Sequence, residues 1–196
     1  PEDLERTVDF FHQGMSSLVY PGDRVLILMP GGLPGSIGEL LVEGLARMHV
    51  EGIVHGPVQD PEQAIDEIIS LRPQCLVGIP VQVLALVKHP QSERVPPGTI
   101  RSVLLSTDYV PAAMVTNIQR GWGSRVYQHY GMTEMGYGGG VECDAHDGYH
   151  LREADLFVEI VDPATGQALP DGVSGEVVVT TLTRRAMPLI RYRTGD

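Results

Sequence analysis

The chain has 196 residues, 42% of them hydrophobic and 20% charged, a composition that excludes a disordered polypeptide and allows one sizeable core. Its formal net charge of −11 disfavours nonspecific binding to nucleic acid or to anionic membranes, because such binding requires a basic surface. Any phosphate ligand must therefore be held by local groups.

The first part of the chain alternates short aliphatic runs with longer amphipathic stretches, which predicts strand and helix units and a mostly parallel sheet. Asp60 is a candidate N-cap, and Pro61 suits the first turn of the helix that follows. Strands are predicted at 24–29, 52–54, 75–78, 100–105 and 125–127, and helices at 36–48, 61–71, 80–88 and 111–120.

A different pattern begins after Gly136, where a glycine-rich loop precedes strand-like stretches at 155–161 and 176–182. A turn-rich segment joins these stretches, so they are expected to pair antiparallel. We predict an α/β fold with a mostly parallel sheet flanked by helices, followed by a small antiparallel β subdomain. The α/β part is assigned to residues 1–140 and the β-rich subdomain to residues 141–196, both within one larger domain.

Cysteine content and hydrophobicity indicate the cellular compartment. Cys75 and Cys143 are the only two cysteines, which does not resemble a secreted disulfide scaffold and indicates a reducing cytoplasm. The most apolar run, 75–87, is shorter than the ~20 residues that a membrane helix needs. Residues 1–11 lack the basic and then apolar pattern of a signal peptide. A cytoplasmic protein is expected.

The segment 126–134, VYQHYGMTE, carries residue types that a nucleotide site uses. Tyr130 can stack on adenine, Gly131 lets the backbone approach a ligand, and Thr133 can donate to a phosphate oxygen. Glu134 can hold Mg²⁺ through its carboxylate oxygens. A strand end with a core tyrosine, followed by a capped turn, would show the same pattern, so both interpretations stay open for this motif alone.

The last ten residues, MPLIRYRTGD, end in a glycine and an aspartate. An ionised carboxylate presents two acceptor oxygens, which suit the two hydroxyls of a ribose, and Gly195 removes steric hindrance. An exposed arginine-rich strand that ends in a type II turn is an equally good interpretation of this segment.

Taken in order, with the strand-like run 175–180 between them, the two segments resemble motifs of the superfamily of adenylate-forming enzymes. The resemblance is specific from about residue 100 to residue 196 and looser before it. Similarity to the phenylacetate-CoA ligase branch lies in the stretches 142–150, 158–166, 180–183 and 188–193.

The resemblance implies roles for the residues of the first motif. Tyr130 would stack on adenine, Thr133 would bind the α-phosphate of ATP or AMP, and Glu134 would ligate Mg²⁺. Gly131 and Met132 would line the same nucleotide site. Thr133 and Glu134 are thus the catalytic candidates.

Further roles follow from the resemblance outside that motif. Asp196 would bind the ribose hydroxyls. Ser106, Thr107 and Asp108 match a turn that lines the adenine edge, where the family more commonly has Gly-Gly-Glu or Gly-Ala-Glu. The loss of those glycines alters the expected backbone contacts to adenine, although the Ser and Thr hydroxyls can substitute as donors or acceptors.

Two parts that the resemblance implies are not among these 196 residues. The phosphate loop would lie upstream of Pro1, and a small C-terminal domain with the adenylating lysine would follow Asp196. Lys88 is the single lysine and lies in no family motif, so we expect this fragment alone to be inactive. The segment 30–38 lacks the Gly-Lys-Ser/Thr ending of a phosphate loop and is predicted to be a loop and helix start.

Cys143 and His150 are candidate Zn²⁺ ligands, because thiolate and imidazole groups at close spacing suit zinc. A glycine-rich loop with a buried thiol and surface histidines is the alternative. Residues that could complete a zinc site are His146, Asp144, Asp147 and Asp155.

The leading functional hypothesis is an ATP-dependent, AMP-forming acyl- or aryl-CoA ligase. Such an enzyme activates a carboxylic acid, with phenylacetate or a related aryl acid suggested by the family, and transfers it to coenzyme A. The alternative is a non-catalytic adenine-nucleotide-binding or regulatory module of the same fold. A dinucleotide-binding oxidoreductase is disfavoured, because no Gly-x-Gly-x-x-Gly follows the first strand. The oligomeric state is left open, with a homodimer as one alternative.

Overall fold

The computed structural model describes residues 2–196, which form helices and strands in alternation. The helices are α1 (Glu2–Met15), α2 (Ile37–Ala46), α3 (Pro61–Leu71), α4 (Pro80–Lys88) and α5 (Ala112–Trp122), with short 3₁₀ turns at Pro90–Arg94 and Thr133–Met135. The strands are β1 (Arg24–Leu28), β2 (Glu51–Val54), β3 (Cys75–Gly78), β4 (Ser102–Leu105), β5 (Arg125–Tyr130), β6 (Gly140–Val141), β7 (His150–Leu151), β8 (Leu156–Val161), β9 (Glu176–Thr181) and β10 (Tyr192–Arg193).

The main sheet has seven strands in the order β2-β1-β3-β4-β5-β6-β7. The strands from β2 to β5 pair in parallel, whereas β6 and β7 join antiparallel at the end next to β5. The last three strands form a separate antiparallel sheet in the order β10-β9-β8. The predicted fold class is therefore confirmed.

Helices cover both faces of the main sheet. Along β1, Val25 and Ile27 join the core beneath α1 and α2, while Leu26 and Leu28 join the core beneath α3, α4 and α5. All four side chains are fully buried. Burial on both faces explains why the central strands are continuous aliphatic runs and show no alternation of polar and apolar residues.

The helix limits follow from local chemistry. The Asp60 carboxylate accepts hydrogen bonds from the backbone N–H groups of Glu62 and Gln63, as expected for an N-cap, and Pro61 opens α3. Helix α5 ends where Gly123 adopts a left-handed conformation with φ 71°. Pro80 likewise opens α4, and both α3 and α4 lie at their predicted limits.

Helix α1 was not predicted, because residues 1–11 were considered only as a candidate signal peptide. The helix buries Val8, Phe10, Phe11 and Met15 against the main sheet. That spacing is amphipathic and would have indicated a helix. The Thr7 hydroxyl donates to the backbone carbonyl of Gly136 at 3.1 Å, so α1 is tied to the loop after β5.

The division of the chain at residues 140 and 141 stays a prediction. The strands β6 and β7 lie beyond that point but pair with the main sheet, and the small sheet begins at Leu156. Among residues 2–196, no helix combines the length and the hydrophobicity that a membrane span requires.

Candidate active site

A groove of ≈ 560 Å³ lies at the carboxyl ends of β4 and β5. Ligands commonly bind at this edge of a parallel sheet, because the loops that leave the strands meet there. We call it the outer groove. It is lined by Thr107, Asp108, Tyr109, Val110, Gln128, His129, Tyr130, Gly131, Met132, Tyr149 and Asp196.

The outer groove brings together most of the residues predicted to bind nucleotide. These are Thr107, Asp108, Tyr130, Gly131, Met132 and Asp196. Three other predicted residues, Ser106, Thr133 and Glu134, are not part of its lining. The roles assigned to all of these residues stay predictions.

Tyr130 and Asp196 join the two sequence motifs in space. The Tyr130 hydroxyl donates to Oδ2 of Asp196 at 2.8 Å, across 66 residues of chain. Partial burial raises the pKa of Tyr130 to about 12, and the hydrogen bond to Asp196 acts in the same direction. Tyr130 is therefore a neutral donor at physiological pH, and it fixes the carboxylate at the rim of the groove.

Backbone contacts with β9 position Asp196. The N–H of Val177 donates to the carbonyl of Asp196 at 3.1 Å, and the Thr194 hydroxyl donates to the carbonyl of Val177 at 2.8 Å. Gly195 adopts a positive φ of 82°, which an L side chain rarely accepts. The final turn is thus held on the small sheet, with its aspartate towards the main sheet.

Gly131 lies where the chain folds back on itself. A Cβ atom at this position would lie 2.6 Å from the carbonyl oxygen of Tyr137 and 2.8 Å from Cε1 of His129. The Tyr137 N–H donates to the carbonyl of Met132 at 2.9 Å, which closes this loop. Only glycine fits here without displacing neighbours, so its place in the motif has a steric cause.

Thr107 has an unusual backbone. Its φ is 82°, in the left-handed region that β-branched residues strongly avoid. The neighbouring Asp108 carboxylate accepts from the N–H of Tyr109 at 2.8 Å and thereby supports the turn. A glycine would occupy this position without strain, so the departure from the commoner family sequence places a strained residue in the groove wall.

Ser106 faces away from the outer groove. It is buried, and its Oγ shares a 2.8 Å hydrogen bond with Nδ1 of His129. His129 was missed by the sequence analysis, although it lies within the first motif. Its ring packs against Phe10 of α1 with centroids 5.8 Å apart.

Burial governs the protonation of His129. It lowers the pKa of the imidazole to about 4, and the Tyr137 carbonyl opposes this shift only in part. The ring is therefore neutral at physiological pH. Its Nε2 is buried and has no hydrogen-bond partner among residues 2–196.

Ser106 and His129 line a small second space beneath α1, which we call the inner cavity. Its volume is ≈ 30 Å³, and His129 lines both this cavity and the outer groove. The remaining lining is apolar or glycine: Phe10, Phe11, Gly14, Met15, Met29, Ile37, Leu41, Val77, Leu104 and Val141.

Thr133 and Glu134 lie in the 3₁₀ turn after the motif, with Met135 buried against the core of the small sheet. No group of three or more His, Cys, Asp or Glu side chains within residues 2–196 could hold a metal ion. A single carboxylate still suits Mg²⁺, which is commonly bound by one or two carboxylates together with phosphate oxygens and water. The chemistry of Glu134 therefore fits the predicted role.

The structure does not assemble the predicted zinc site. Cys143 and His150 line one open groove with Arg152, but three of the other candidate ligands have partners of their own. Asp144 accepts from Arg125 at 3.0 Å and from the Tyr127 hydroxyl. His146 pairs with Glu142 at 3.6 Å, Asp155 accepts from Arg6 and Arg152, and Asp147 is not part of the groove lining. Structural zinc requires four ligands, so this loop lacks the necessary set.

Comparison with known proteins gives a consistent family. Residues 7–183 match the model of the family described as AMP-binding enzyme. The phenylacetate-coenzyme A ligase of Aromatoleum evansii is 34% identical over 139 residues, which cover 69% of this chain and 32% of that protein. The phenylacetate-coenzyme A ligase of Escherichia coli K12 is 44% identical over 86 residues, 43% of this chain and 20% of that protein.

A solved structure supports the fold over almost the whole chain. The open conformation of 2-hydroxyisobutyryl-CoA ligase, in complex with 2-HIB-AMP and CoA, superimposes with a TM-score of 0.87 at 21% identity. The match covers 99% of this chain and 44% of that chain. The chain spans about a third of the length of the first curated relatives that it matches.

Proposed function

The chain belongs to the AMP-binding enzyme family, and from that premise we propose that it is part of an ATP-dependent, AMP-forming carboxylate-CoA ligase. The enzyme would join a carboxylic acid to the α-phosphate of ATP, release pyrophosphate, and then transfer the acyl group to the thiol of coenzyme A. The curated relatives named phenylacetate-coenzyme A ligase support a ligase of this class.

The hydrogen bond between Tyr130 and Asp196 is the observation that carries this proposal. It unites the first motif and the last ten residues, two segments that resemble nucleotide-binding motifs, on one wall of one groove. If the two segments were only a strand end and an unrelated turn, a hydrogen bond between their side chains would not be expected. In the proposed enzyme, Tyr130 stacks on adenine and holds the Asp196 carboxylate ready to accept from the ribose hydroxyls.

The phosphate end of the nucleotide would extend towards Thr133 and Glu134. The Thr133 hydroxyl is exposed and can donate to an α-phosphate oxygen. Glu134 would hold Mg²⁺, which neutralises phosphate charge when bound. Such compensation is needed, because the carboxylate of the acid and the triphosphate of ATP repel each other.

Thr107 and Asp108 would form the opposite wall, beside the adenine edge. Their side chains are exposed in the groove, so their oxygens can reach a ligand there. Ser106 would not serve this purpose, because its hydroxyl is bonded to His129 on the other face of the sheet.

The 196 residues alone are proposed to be inactive in adenylation, because they contain no phosphate loop and Lys88 lies in α4, far along the chain from both motifs. The cytoplasmic location and the homodimer stay predictions. Names of the compared proteins suggest two kinds of acid, phenylacetate and 2-hydroxyisobutyrate.

Acid-dependent exchange of labelled pyrophosphate into ATP by the full-length protein tests the proposed function. We expect exchange only when a suitable acid is present, and a slower exchange in Asp196→Ala. The matched control is Asp171→Ala, an exposed aspartate in the turn before β9, which should keep the wild-type rate.

The same assay distinguishes the non-catalytic alternative. A protein that binds AMP but exchanges no pyrophosphate with any aryl or alkyl acid would be a nucleotide-binding module. Pyrophosphate exchange by residues 1–196 alone would contradict the proposal that this part is inactive.

A further inference from the structure

Three tyrosines line the outer groove: Tyr109, Tyr130 and Tyr149. Tyr130 has a role in the proposed function. Tyr149 lies outside both sequence motifs, and no role has been assigned to it. The residue is 42% exposed, so a ligand in the groove can contact its ring.

Glycines bring Tyr149 next to Tyr130. Tyr130 in β5 pairs with Gly140 in β6, and a Cβ atom at Gly140 would lie 2.9 Å from the Cβ of Tyr149. Any side chain at position 140 would therefore displace Tyr149. Just before Tyr149, the chain turns at Gly148, which adopts a positive φ of 86°.

The rings of Tyr130 and Tyr149 form one aromatic wall. Their centroids lie 6.3 Å apart and their planes are inclined by 47°. This separation lies in the range of favourable aromatic pairs, which prefer tilted or offset arrangements. A planar group stacked on Tyr130 would thus meet the ring of Tyr149 at an angle.

The charges around the groove favour an uncharged group at this wall. Among residues 2–196, the groove lining contains the carboxylates of Asp108 and Asp196 and no lysine or arginine. Partial burial raises the pKa of Tyr149, and the Glu142 carboxylate acts in the same direction, so the phenol is neutral at physiological pH. Phosphate groups would be repelled here, whereas a base and ribose hydroxyls would not.

We propose that Tyr149 is a further nucleotide-binding residue, whose ring provides a second aromatic contact for the adenine base beside Tyr130. The inference rests on the proposed function, because it requires the outer groove to take the nucleotide. Loss of an aromatic side chain that stacks on a base weakens binding roughly 5- to 150-fold. A tilted contact gives less, so about 5- to 20-fold is expected for Tyr149.

The test compares the binding of AMP and of ribose 5-phosphate to the full-length protein. Ribose 5-phosphate keeps the hydroxyls and the phosphate but lacks the base. Tyr149→Leu should weaken AMP binding about 5- to 20-fold and change ribose 5-phosphate binding by less than about 2-fold. Tyr149→Phe keeps the ring and should bind AMP like wild type.

Tyr20→Leu is the matched control. Tyr20 is also exposed, but it lies beneath the Arg101 guanidinium at the amino ends of β1 and β4, the edge of the sheet opposite to the outer groove. This variant should bind both ligands like wild type. Thermal unfolding of each variant shows that it is folded.

A purely supporting role for Tyr149 gives a different result. If Tyr149 only held Tyr130, and through it Asp196, Tyr149→Leu would weaken both ligands equally. An equal loss, or no loss of AMP binding, overturns the inference and leaves the nucleotide site in place. A wild-type protein that binds no AMP contradicts the proposed function together with the inference.

A second measurement does not depend on the folding of Tyr149→Leu. In protein that carries fluorotyrosine, the fluorine NMR resonance that is absent from Tyr149→Phe belongs to Tyr149. This resonance should shift on addition of AMP but not of ribose 5-phosphate, and the resonance of Tyr20 should shift with neither. A Tyr149 resonance that stays unchanged when AMP is bound contradicts the inference.

Discussion

The outer groove and the inner cavity meet at His129, yet they are built in opposite ways. The groove is lined by residues from four parts of the chain, including the strained Thr107 and the final Asp196. The cavity is a gap in a packed core beneath α1, with a single polar corner at Ser106 and His129. The groove is thus shaped by loops and strand ends, whereas the cavity has a size and polarity set by packed core side chains.

The segment 126–134 contributes residues to both the outer groove and the inner cavity. Side chains alternate along β5 and the residues that follow it, so Tyr130 and His129 face opposite sides of the sheet. Tyr130 reaches the groove and Asp196, whereas His129 reaches Ser106. Two adjacent residues of one motif thus contribute to different spaces.

The largest expected effect is a pH-dependent loss of stability that results from the burial of His129. Its pKa is lowered from an ordinary 6.5 to about 4, because the ring is surrounded by Phe10, Leu104 and Val141 and no charged side chain lines the cavity. In the unfolded chain the imidazole takes up its proton at a higher pH than in the folded chain. The contribution of the neutral ring to the free energy of unfolding is therefore complete above pH ~6.5 and is lost as the pH falls towards 4. The loss amounts to about 3 kcal/mol.

Chemical denaturation between pH 7 and pH 4 measures this effect. The difference in unfolding free energy between wild type and His129→Leu should shrink by that amount as the pH falls. A constant difference across the range would mean that His129 is hydrated and that the cavity is open to solvent, like the groove.

A smaller effect is expected at Gly131, where the groove wall is tightest. Gly131→Ala should lower the free energy of unfolding by about 1–3 kcal/mol, because its Cβ would overlap the Tyr137 carbonyl. Gly14→Ala is the matched control in α1, since a Cβ there would meet Val141 at an ordinary 3.4 Å. It should be neutral or stabilising by about 0.5–1 kcal/mol. Equal destabilisation by both changes would refute the steric account of Gly131.

The smallest predicted change comes from relief of strain at Thr107. Thr107→Gly should raise the free energy of unfolding by about 1 kcal/mol, because glycine adopts a φ of 82° without steric cost. Thr99→Gly, at a residue outside the positive-φ region, should instead lower it slightly. Thermal unfolding of both variants checks the sign, and a loss of stability in Thr107→Gly would mean that the groove wall is unstrained.

The sequence predicted the helices and strands better than it predicted the outer groove and the inner cavity. Capping and proline signals located α3 and α4, and the motifs indicated Tyr130 and Asp196. The facing of Ser106 and His129 was not predictable, because strands buried on both faces show no alternation that assigns a side. The contact between Tyr130 and Asp196 depends on how two sheets pack, which no local pattern encodes.

In the loop that contains Cys143 and His150, the residue spacing predicted a zinc site that the fold does not assemble. Cys143 and His150 lie along one groove, but Asp144 is bound by Arg125 and Tyr127. Competing ion pairs of this kind are decided by tertiary structure, so ligand spacing alone was insufficient.

Metal-free binding of AMP to the full-length protein, measured by calorimetry, tests the central claim most directly. Asp196→Ala should weaken AMP binding about 10- to 100-fold, because it removes a charge-assisted hydrogen bond of about 1.5–3 kcal/mol to the ribose. Glu134→Gln should leave metal-free AMP binding nearly unchanged, because its predicted role is to hold Mg²⁺. If Asp196→Ala binds AMP like wild type, the assignment of the outer groove to the nucleotide is contradicted. If Glu134→Gln weakens metal-free AMP binding as much as Asp196→Ala does, the role assigned to Thr133 and Glu134 is wrong.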